Sequence, residues 1–265
     1  MKTFRLLGMA IIAILVSANF TACSKDDDEI IKDDDGVITN EKKLVEMKMT
    51  DNSEITTWDF SYGSKGKLAS ITCTEKYKNE TNIDITNITW GENTVIESSD
   101  GKSITYSIND GLIRSGSESG GRNYSFAYNS SKQLTTYQYS DEHYSSTRTL
   151  TWENGKVTKM DYDGEEISTI TYSNQTCKGY FPLMASMVED DFKVMLAHPE
   201  LIGMRTTQLP SQINSKGNNW EDKEEYTYKL DKDGYVESCT MIYTEKRLDN
   251  NETYTSTDIF TFKWE

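Results

Sequence analysis

The two histidines are the side chains best suited to general acid–base chemistry in this chain of 265 residues. His143 lies in the polar segment 140–144, which is typical of an exposed hairpin tip. His198 follows an apolar, helix-like stripe and precedes Pro199, where an imidazole ring favours the negative end of a helix dipole. The sequence has no nucleophile elbow, zinc-protease helix or phosphate loop. We therefore assign no catalytic residue and predict that the protein is not an enzyme.

The 43 acidic residues could supply paired carboxylates for glycoside hydrolysis, but their abundance singles out no pair. Asp161-x-Asp163-Gly164 and Asp231-x-Asp233-Gly234 look like the start of calcium loops. Such a loop of about 12 residues needs a third ligand before the glycine and a glutamate at its end. Neither segment has both, so we interpret them as turns and predict no metal and no cofactor.

The four cysteines are Cys23, Cys73, Cys177 and Cys239, and none has a metal-binding spacing. Beyond Cys23, three remain, so at most one internal disulfide can form. Whether any disulfide forms stays open. Cys73 and Cys239 lie in strand-like runs, where a small buried apolar side chain is the simplest interpretation.

Residues 1–22 have the composition of an export signal. A basic start with Lys2 and Arg5 precedes an apolar run that ends near Val16, and this run is shorter than the ~20 residues of a membrane-spanning helix. The cut site resembles a lipobox, with Ala22 before Cys23 and a Phe at position 20, where Leu is usual. We predict a lipoprotein whose acylated Cys23 inserts into the lipid bilayer. The alternative is an ordinary cleaved signal with Cys23 as a bystander.

Residues 23–43 are predicted to form an acidic, flexible tether, because runs of like charge repel each other and bury nothing. Its first residues, Ser24-Lys25-Asp26-Asp27-Asp28, resemble the lipoprotein export signal of Bacteroidota. That resemblance implies lipid anchoring in the outer membrane with display on the cell surface. The alternative is the periplasmic face of the same membrane.

The net charge excludes some classes of partner. The full chain carries −15, and loss of Lys2 and Arg5 with residues 1–22 makes the mature charge −17. Nucleic-acid binding depends on neutralising phosphates with Lys and Arg, so we predict no nucleic-acid partner. The same charge disfavours docking on an anionic membrane surface. Membrane attachment is therefore expected to rest on the lipid alone.

Aromatic and β-branched residues alternate with polar residues along most of the chain after residue 44, a pattern typical of half-buried strands. Turn pairs such as Asp110-Gly111 and Asn154-Gly155 supply the positive φ that tight hairpins require. We predict that residues 44–265 form a single, mainly β domain. Its antiparallel hairpins form a meander that makes a long curled or barrel-like sheet. The clearest alternating runs are Trp58-x-Phe60-x-Tyr62, Ile104-x-Tyr106-x-Ile108, Tyr124-x-Phe126-x-Tyr128, Tyr137-x-Tyr139, Tyr226-x-Tyr228-x-Leu230 and Phe260-x-Phe262-x-Trp264.

Two segments depart from simple alternation. Ile83 and Ile85 are out of phase with Ile88 and Trp90, and a bulge near Thr86-Asn87 would bring all four to one face. Residues 182–198 show a helical apolar stripe opposite an acidic face, between two prolines. We predict one inserted α-helix near 182–198 that packs against the sheet.

Five segments of the chain resemble a family of Bacteroidota lipoproteins of unknown function with a porin-like fold. The resemblance covers essentially the whole of residues 44–265. It implies a meandering β architecture with an inserted helix, and it brings no catalytic residues. The strands carry Thr, Ser, Asp and Lys on one face, whereas a membrane barrel needs apolar outward faces, so "porin-like" does not imply a pore. The segments are 58–68, 196–203, 209–211, 226–236 and 260–265.

Exposed aromatic rings can stack on sugars, and Trp220 is the tryptophan expected to be exposed, because it lies in a polar loop without alternating neighbours. Our leading hypothesis is a non-catalytic, lipid-anchored module that binds a glycan or a protein partner. One alternative is a carboxylate-dependent hydrolase that acts on glycans. Another is a structural subunit of an outer-membrane assembly.

Overall fold

The computed structural model describes residues 41–265, except for residues 52, 64–65 and 189–192. This part of the chain forms sixteen strands, as the alternating pattern predicted for a mainly β domain. The strands are β1 (Leu44–Thr50), β2 (Glu54–Tyr62), β3 (Leu68–Tyr77), β4 (Glu80–Trp90), β5 (Thr94–Ser99), β6 (Lys102–Asn109), β7 (Leu112–Glu118), β8 (Asn123–Tyr128), β9 (Leu134–Ser140), β10 (Ser145–Glu153), β11 (Lys156–Tyr162), β12 (Glu166–Thr176), β13 (Gln208–Lys216), β14 (Trp220–Leu230), β15 (Val236–Arg247) and β16 (Thr253–Trp264).

The strands form a closed antiparallel barrel in which each strand pairs with its neighbours in sequence. β1 pairs with β16, with Met47 opposite Phe262, and this pairing closes the sheet. Closure leaves no unpaired edge. The predicted meander and its barrel-like closure are therefore confirmed. Asp110-Gly111 and Asn154-Gly155 all have positive φ, as the predicted tight hairpins require.

Side chains alternate between the interior and the outer face of the barrel. On β8, Tyr124 and Phe126 are buried, whereas Ser125 is exposed between them. The outer face is rich in threonine and serine, while the interior holds the apolar core. The largest fully buried side chains are Leu44, Leu68, Ile71, Tyr106, Ile113, Leu134, Tyr137, Phe181, Met184, Met195 and Ile202.

The predicted bulge near Thr86-Asn87 is wrong. The register of β3 with β4 runs unbroken from Ser70 opposite Asn87 to Tyr77 opposite Glu80. Ile83 and Ile85 lie on the outer face and are 60% and 52% exposed. β-branched residues fit an exposed pleated surface as well as a buried one, so these two isoleucines had no need to share a face with the core.

The predicted single helix near 182–198 is also wrong in form. The structure has two short helices, α1 (Leu183–Ser186) and α2 (Lys193–Ala197), followed by a 3-10 helix (Pro199–Ile202). The acidic face predicted for this helix falls on residues 189–191, outside the described residues. Elements this short depend on tertiary packing rather than on helix propensity. Within the described part of the chain, no helix is long and apolar enough to span a membrane.

The segment that carries these helices fills one end of the barrel, and we call its described residues, 177–188 and 193–207, the plug. It contacts several parts of the wall: Glu97 of β5 accepts a hydrogen bond from the backbone N–H of Val194 at 2.6 Å, and Tyr162 of β11 donates to the carbonyl of Met187 at 3.1 Å. The ring of Phe181 lies edge-on to Tyr228 of β14, with centroids 5.2 Å apart. The plug therefore lies inside the barrel, as a continuation of the core.

The ends of the wall near the plug share a repeated hydrogen bond. An aromatic side chain at or near the end of an even-numbered strand donates to the carbonyl of an apolar residue at or near the start of the preceding strand. This contact ties neighbouring hairpin ends together around the plug end of the barrel. The pairs are Tyr62 to Leu44, Trp90 to Leu68, Tyr128 to Ile113, Trp152 to Leu134, Tyr172 to Val157 and Trp264 to Val236, at 2.5–3.0 Å.

The chain enters the barrel at this same end. The backbone N–H of Lys42 donates to the hydroxyl of Tyr235 at 2.9 Å, and the Nζ of Lys42 lies 2.6 Å from Asp233. Glu41 pairs with Arg205 of the plug. Residues 41–43, which we assigned to the flexible tether, are thus bound to the domain.

Candidate functional site at the barrel mouth

The opposite end of the barrel, which we call the mouth, is lined by polar and aromatic side chains. β14 shows the change from core to mouth along its inner face. Tyr228 and Tyr226 lie next to the core, Glu224 and Asp222 follow, and Trp220 begins the strand. The turns at this end, of those described in full, are 78–79, 100–101, 119–122, 141–144, 163–165, 217–219 and 248–252.

Exposed aromatic rings are concentrated at the mouth. Among the described residues, the aromatic side chains with large exposure are Tyr77 at 42%, Tyr144 at 56% and Tyr254 at 61%. Tyr77 ends β3, Tyr144 precedes β10 and Tyr254 is the second residue of β16, so all three lie where strands meet the mouth. Together with the half-buried Trp220 we call them the aromatic rim.

A stack of rings leads from the core to the rim on β8 and β9. Phe126 contacts Tyr137 with centroids 5.4 Å apart, and Tyr137 stacks on Tyr124 at 6.4 Å. Tyr124 stacks on Tyr139 at 6.3 Å, and Tyr139 contacts Tyr144 at 5.6 Å. Each buried ring supports the next, so the exposed Tyr144 ring rests on a rigid aromatic base.

Charged groups surround the outer part of this stack. The guanidinium of Arg122 lies 5.8 Å from the centre of the Tyr139 ring and 3.6 Å from the carboxylate of Glu118. Tyr139 donates to Asp141 at 3.3 Å. Backbone N–H groups of the hairpin tip donate to Asp141 and hold the pKa of its carboxyl below the usual range. Sugar hydroxyls could find both donors and acceptors here, next to exposed rings.

His143 is exposed at this hairpin tip, as predicted, and its backbone N–H donates to Asp141 at 2.8 Å. His198 lies at the plug end instead. Its Nδ1 is 2.8 Å from Glu200, and its ring lies edge-on to Trp90, so the ring pairs with a neighbouring carboxylate. The two histidines lie at opposite ends of the barrel and cannot share a site.

Trp220 lies at the rim rather than in a loop. It is the first residue of β14, opposite Arg247 of β15. Its indole packs over Gly217, where an added Cβ would lie only 2.6 Å from the ring. The side chain is half-buried and faces the mouth. Sequence analysis expected Trp220 to be exposed in a polar loop, whereas it begins a strand and is half-buried. Sequence analysis did not single out Tyr77, Tyr144 or Tyr254.

Most acidic groups beside Trp220 have protein partners. Tyr226 donates to Glu224, and Tyr243 donates to Glu245 at 3.4 Å. Burial raises the pKa of both tyrosines, so both remain protonated donors. Nε of Arg247 donates to Glu245 at 3.2 Å. These hydrogen bonds fix the carboxylates as part of the mouth wall.

The two segments that look like calcium loops are turns, as interpreted. Oδ1 of Asp231 accepts from the backbone N–H groups of Asp233 and Tyr235 at 2.8 and 2.9 Å, and Lys42 lies between the two carboxylates. Oδ1 of Asp161 accepts from Gly164 at 2.8 Å. In the described ranges, no cluster of three or more His, Cys, Asp or Glu side chains is arranged to hold a metal ion.

Several sequence predictions fall outside the described residues. These are the export signal 1–22, the lipid attachment at Cys23 and the acidic export signal 24–28. They stay predictions. Cys73, Cys177 and Cys239 are buried and form no disulfide in the described part of the chain.

The fold matches a solved structure. A porin-like protein from Bacteroides uniformis superimposes with a TM-score of 0.68 over 84% of this chain and 98% of that chain, at 19% sequence identity. This likeness shows a shared fold. A protein of unknown function of the DUF3598 family from Nostoc punctiforme aligns over 85% of this chain and 96% of that chain, at 7% identity and a TM-score of only 0.23. No curated protein matches the chain.

A family model also matches the sequence directly. It describes a domain of unknown function with a porin-like fold, and it covers residues 60–238, which is more than half of the chain. The match confirms the family resemblance that five sequence segments indicated. The chain belongs to this family of porin-like domains of unknown function, DUF4595.

Proposed function

We propose that the protein is a lipid-anchored, non-catalytic binding protein that holds a glycan at the barrel mouth. The observation that carries this proposal is the aromatic rim: Tyr77, Tyr144 and Tyr254 are all exposed at one end of the barrel. Ligand sites are concave, are lined by aromatic side chains with a few fixed polar groups, and are common at the mouths of β-barrels. The mouth has the aromatic side chains and the fixed polar groups of such a site.

The plug supports a binding role over a transport role. Phe181, Met184, Met195 and Ile202 of the plug are all nearly or fully buried. A solute that entered the mouth would meet this packed core at the other end. The plug also reaches the mouth side of the wall, where Tyr162, the last residue of β11, donates to the carbonyl of Met187. The barrel interior is therefore packed, and its outer face is polar. Strand β10, for example, presents Thr147, Thr149 and Thr151 on the outer face of the barrel.

Residues 41–43 show at which end of the barrel the predicted anchor segment joins the domain. These residues are bound at the plug end, through Lys42 to Asp233 and through Glu41 to Arg205. A lipid on Cys23 would therefore be linked through the chain to the plug end of the domain. Surface display in the outer membrane is part of the proposal, with the periplasmic face as the alternative.

A glycan array tests the proposal with the full-length protein in detergent. The double substitution Tyr144→Ala and Tyr254→Ala should abolish binding to any glycan that the native protein retains. Ile83→Ala, which removes an exposed side chain from the outer face, is the matched control and should leave binding intact. If the native protein retains no glycan, or if the rim and control variants bind equally well, the proposal is wrong.

The alternatives predict other results. A hydrolase would release sugar from a polysaccharide panel, and a single Asp or Glu substitution in the mouth would stop the release. A structural subunit would co-purify with fixed partners from detergent-solubilised membranes, regardless of changes in the aromatic rim.

A further inference from the structure

The outer wall of the barrel is indented between β12 and β15, on the side close to the mouth. The cavity has a volume of about 550 Å³, and we call it the outer groove. One row of its lining crosses four strands in register: Ile167, Lys216, Glu221 and Lys246. All four side chains face outward, so the outer groove is separate from the mouth.

A second row adds a third lysine. Lys223 lies between Asn214 and Thr244 on the neighbouring strands. Three lysines thus line one cavity in a chain whose net charge is −15. A local excess of lysine in so acidic a protein creates a distinct positive site for an anionic ligand.

The carboxylates in and beside the outer groove neutralise this charge only in part. Lys216 lies 2.8 Å from Glu221, and Lys223 lies 2.8 Å from Glu225. Lys216 and Lys246 both lower the pKa of Glu221, so two ammonium groups share one carboxylate. The lining also includes Asp222, but its side chain lies on the inner face of β14 and interacts with Tyr243. Among the outward-facing groups, three lysines against two glutamates leave one positive charge in excess.

The ion pairs can exchange partners at low cost. All four paired side chains are at least 44% exposed, and exposed ion pairs contribute only ~0–1 kcal/mol. An incoming carboxylate or sulfate can therefore replace a glutamate as the partner of a lysine. Nearby, the half-exposed Ile167 offers an apolar surface, and Asn214 offers an amide for hydroxyl groups.

We propose that the outer groove binds an anionic polysaccharide through carboxylate or sulfate groups that bridge Lys216, Lys223 and Lys246. A cavity of about 550 Å³ is in the ~300–1,000 Å³ range of sites for molecules larger than a single small anion. Adjacent strands are ~4.8 Å apart, so the lysines of β13, β14 and β15 span ~10 Å and match charges repeated along a polymer. This site is independent of glycan binding at the mouth.

The test measures binding of the full-length protein in detergent to immobilised polygalacturonate and dextran sulfate, with uncharged dextran as the reference. The native protein should bind at least one anionic polymer and should not bind dextran. The triple substitution Lys216→Gln, Lys223→Gln and Lys246→Gln should weaken that binding at least ~10-fold, because it removes every ammonium group of the groove.

The matched control is Lys48→Gln, Lys76→Gln and Lys263→Gln. These outward-facing lysines lie on β1, β3 and β16, and Lys263 is ion-paired with Glu46 at 2.6 Å, as Lys216 is with Glu221. The control changes the net charge equally and should leave the affinity within ~2-fold. Equal weakening by both triple variants, or no binding to either anionic polymer, would overturn the proposal.

A single substitution provides a second test in case the triple lysine variant does not fold. Ile167→Asp adds one carboxylate to the groove floor and keeps every lysine. It should also weaken binding to the anionic polymer, with unchanged circular dichroism. The triple lysine variant should keep any binding to uncharged glycans on the array, which separates failure of this proposal from failure of the proposed function.

Discussion

The indole N–H of Trp90 donates to the backbone carbonyl of Leu68 at 2.8 Å and so joins the end of β4 to the start of β3. The ring also lies under the ammonium group of Lys67, 5.1 Å from its centre. The same type of hydrogen bond joins Trp152 to Leu134 and Trp264 to Val236. This contact therefore repeats around the plug end as a structural feature of the fold.

Trp90→Phe should destabilise the domain by about 1 kcal/mol, because it removes one donor and leaves the Leu68 carbonyl without it. Urea unfolding followed by circular dichroism measures the effect. Tyr144→Phe removes an exposed hydroxyl at the mouth and should leave the unfolding midpoint unchanged. An unchanged midpoint for Trp90→Phe would mean that the repeated hydrogen bond contributes nothing to stability.

Glu97→Ala should loosen the plug. Glu97 is 4% exposed, and its Oε1 accepts from the backbone N–H of Val194 at 2.6 Å, at the start of α2. The substitution leaves a buried N–H unsatisfied, at a cost of about 1–3 kcal/mol, whereas Glu97→Gln keeps an acceptor. Hydrogen exchange at Val194 should be faster in the alanine variant than in the glutamine variant. Equal protection in both would show that this contact does not hold the plug.

Asp258→Asn should stabilise the domain at pH 7. Burial, with the negative charge of Asp51, raises the pKa of Asp258 above its usual value. A raised pKa in the folded state favours the protonated form, so the contribution to stability is present below ~pH 4 and is lost as the pH rises through the folded pKa. Asparagine resembles the protonated form at every pH.

Thermal unfolding at two pH values checks this prediction. The Asp258→Asn variant should melt above the native protein at pH 7, and the difference should shrink at pH 4. Ser125→Ala, which changes an exposed residue without a titratable group, is the control and should give the same difference at both pH values. A constant difference at both pH values would contradict the sign of the pKa shift.

The three cysteines of the barrel should resist alkylation in the native protein. Burial raises the pKa of the Cys177 thiol to about 11 and the pKa of the Cys73 and Cys239 thiols to about 12. The reactive thiolate is therefore scarce at pH 8. Mass spectrometry should detect no iodoacetamide adduct at these residues until denaturant is added, and three adducts afterwards. Two residues that stay unmodified after denaturation would reveal a disulfide.

Local sequence signals predicted the strands and their hairpins, because alternation and tight turns involve residues close together in the chain. The sequence predicted a curled or barrel-like sheet but not which strands close it. The closing pair, β1 and β16, places Met47 opposite Phe262, and these residues are far apart in the chain. The secondary structure of the plug could not be predicted from local sequence signals. Its apolar residues matched a helical stripe, but packing from several sides replaced one helix with α1, α2 and a 3-10 helix.

The mouth could have been predicted in part. In a meander, alternate hairpin tips lie at the same end, and Tyr77, Tyr144, Trp220 and Tyr254 all lie in or beside such alternate tips. The alternation of aromatic residues predicted that these rings face the core. It therefore gave no reason to expect that rings at the mouth ends of the same strands are exposed. The plug connects β12 to β13 and so enters at the end opposite these tips, as the chain order implies. Which rings stay exposed depends on how the plug packs, and no local pattern gives that information.

Isothermal titration calorimetry with a retained glycan tests the central claim most directly, through two substitutions of one rim residue. Tyr144→Phe keeps the aromatic face, and Tyr144→Ala removes it. If the rim binds sugars by stacking, the phenylalanine variant should keep most of the affinity. The alanine variant should then lose about 0.5–1.5 kcal/mol of binding free energy, or ~2–12-fold in Kd. Equal affinity of the native protein and the alanine variant would contradict glycan binding at the mouth.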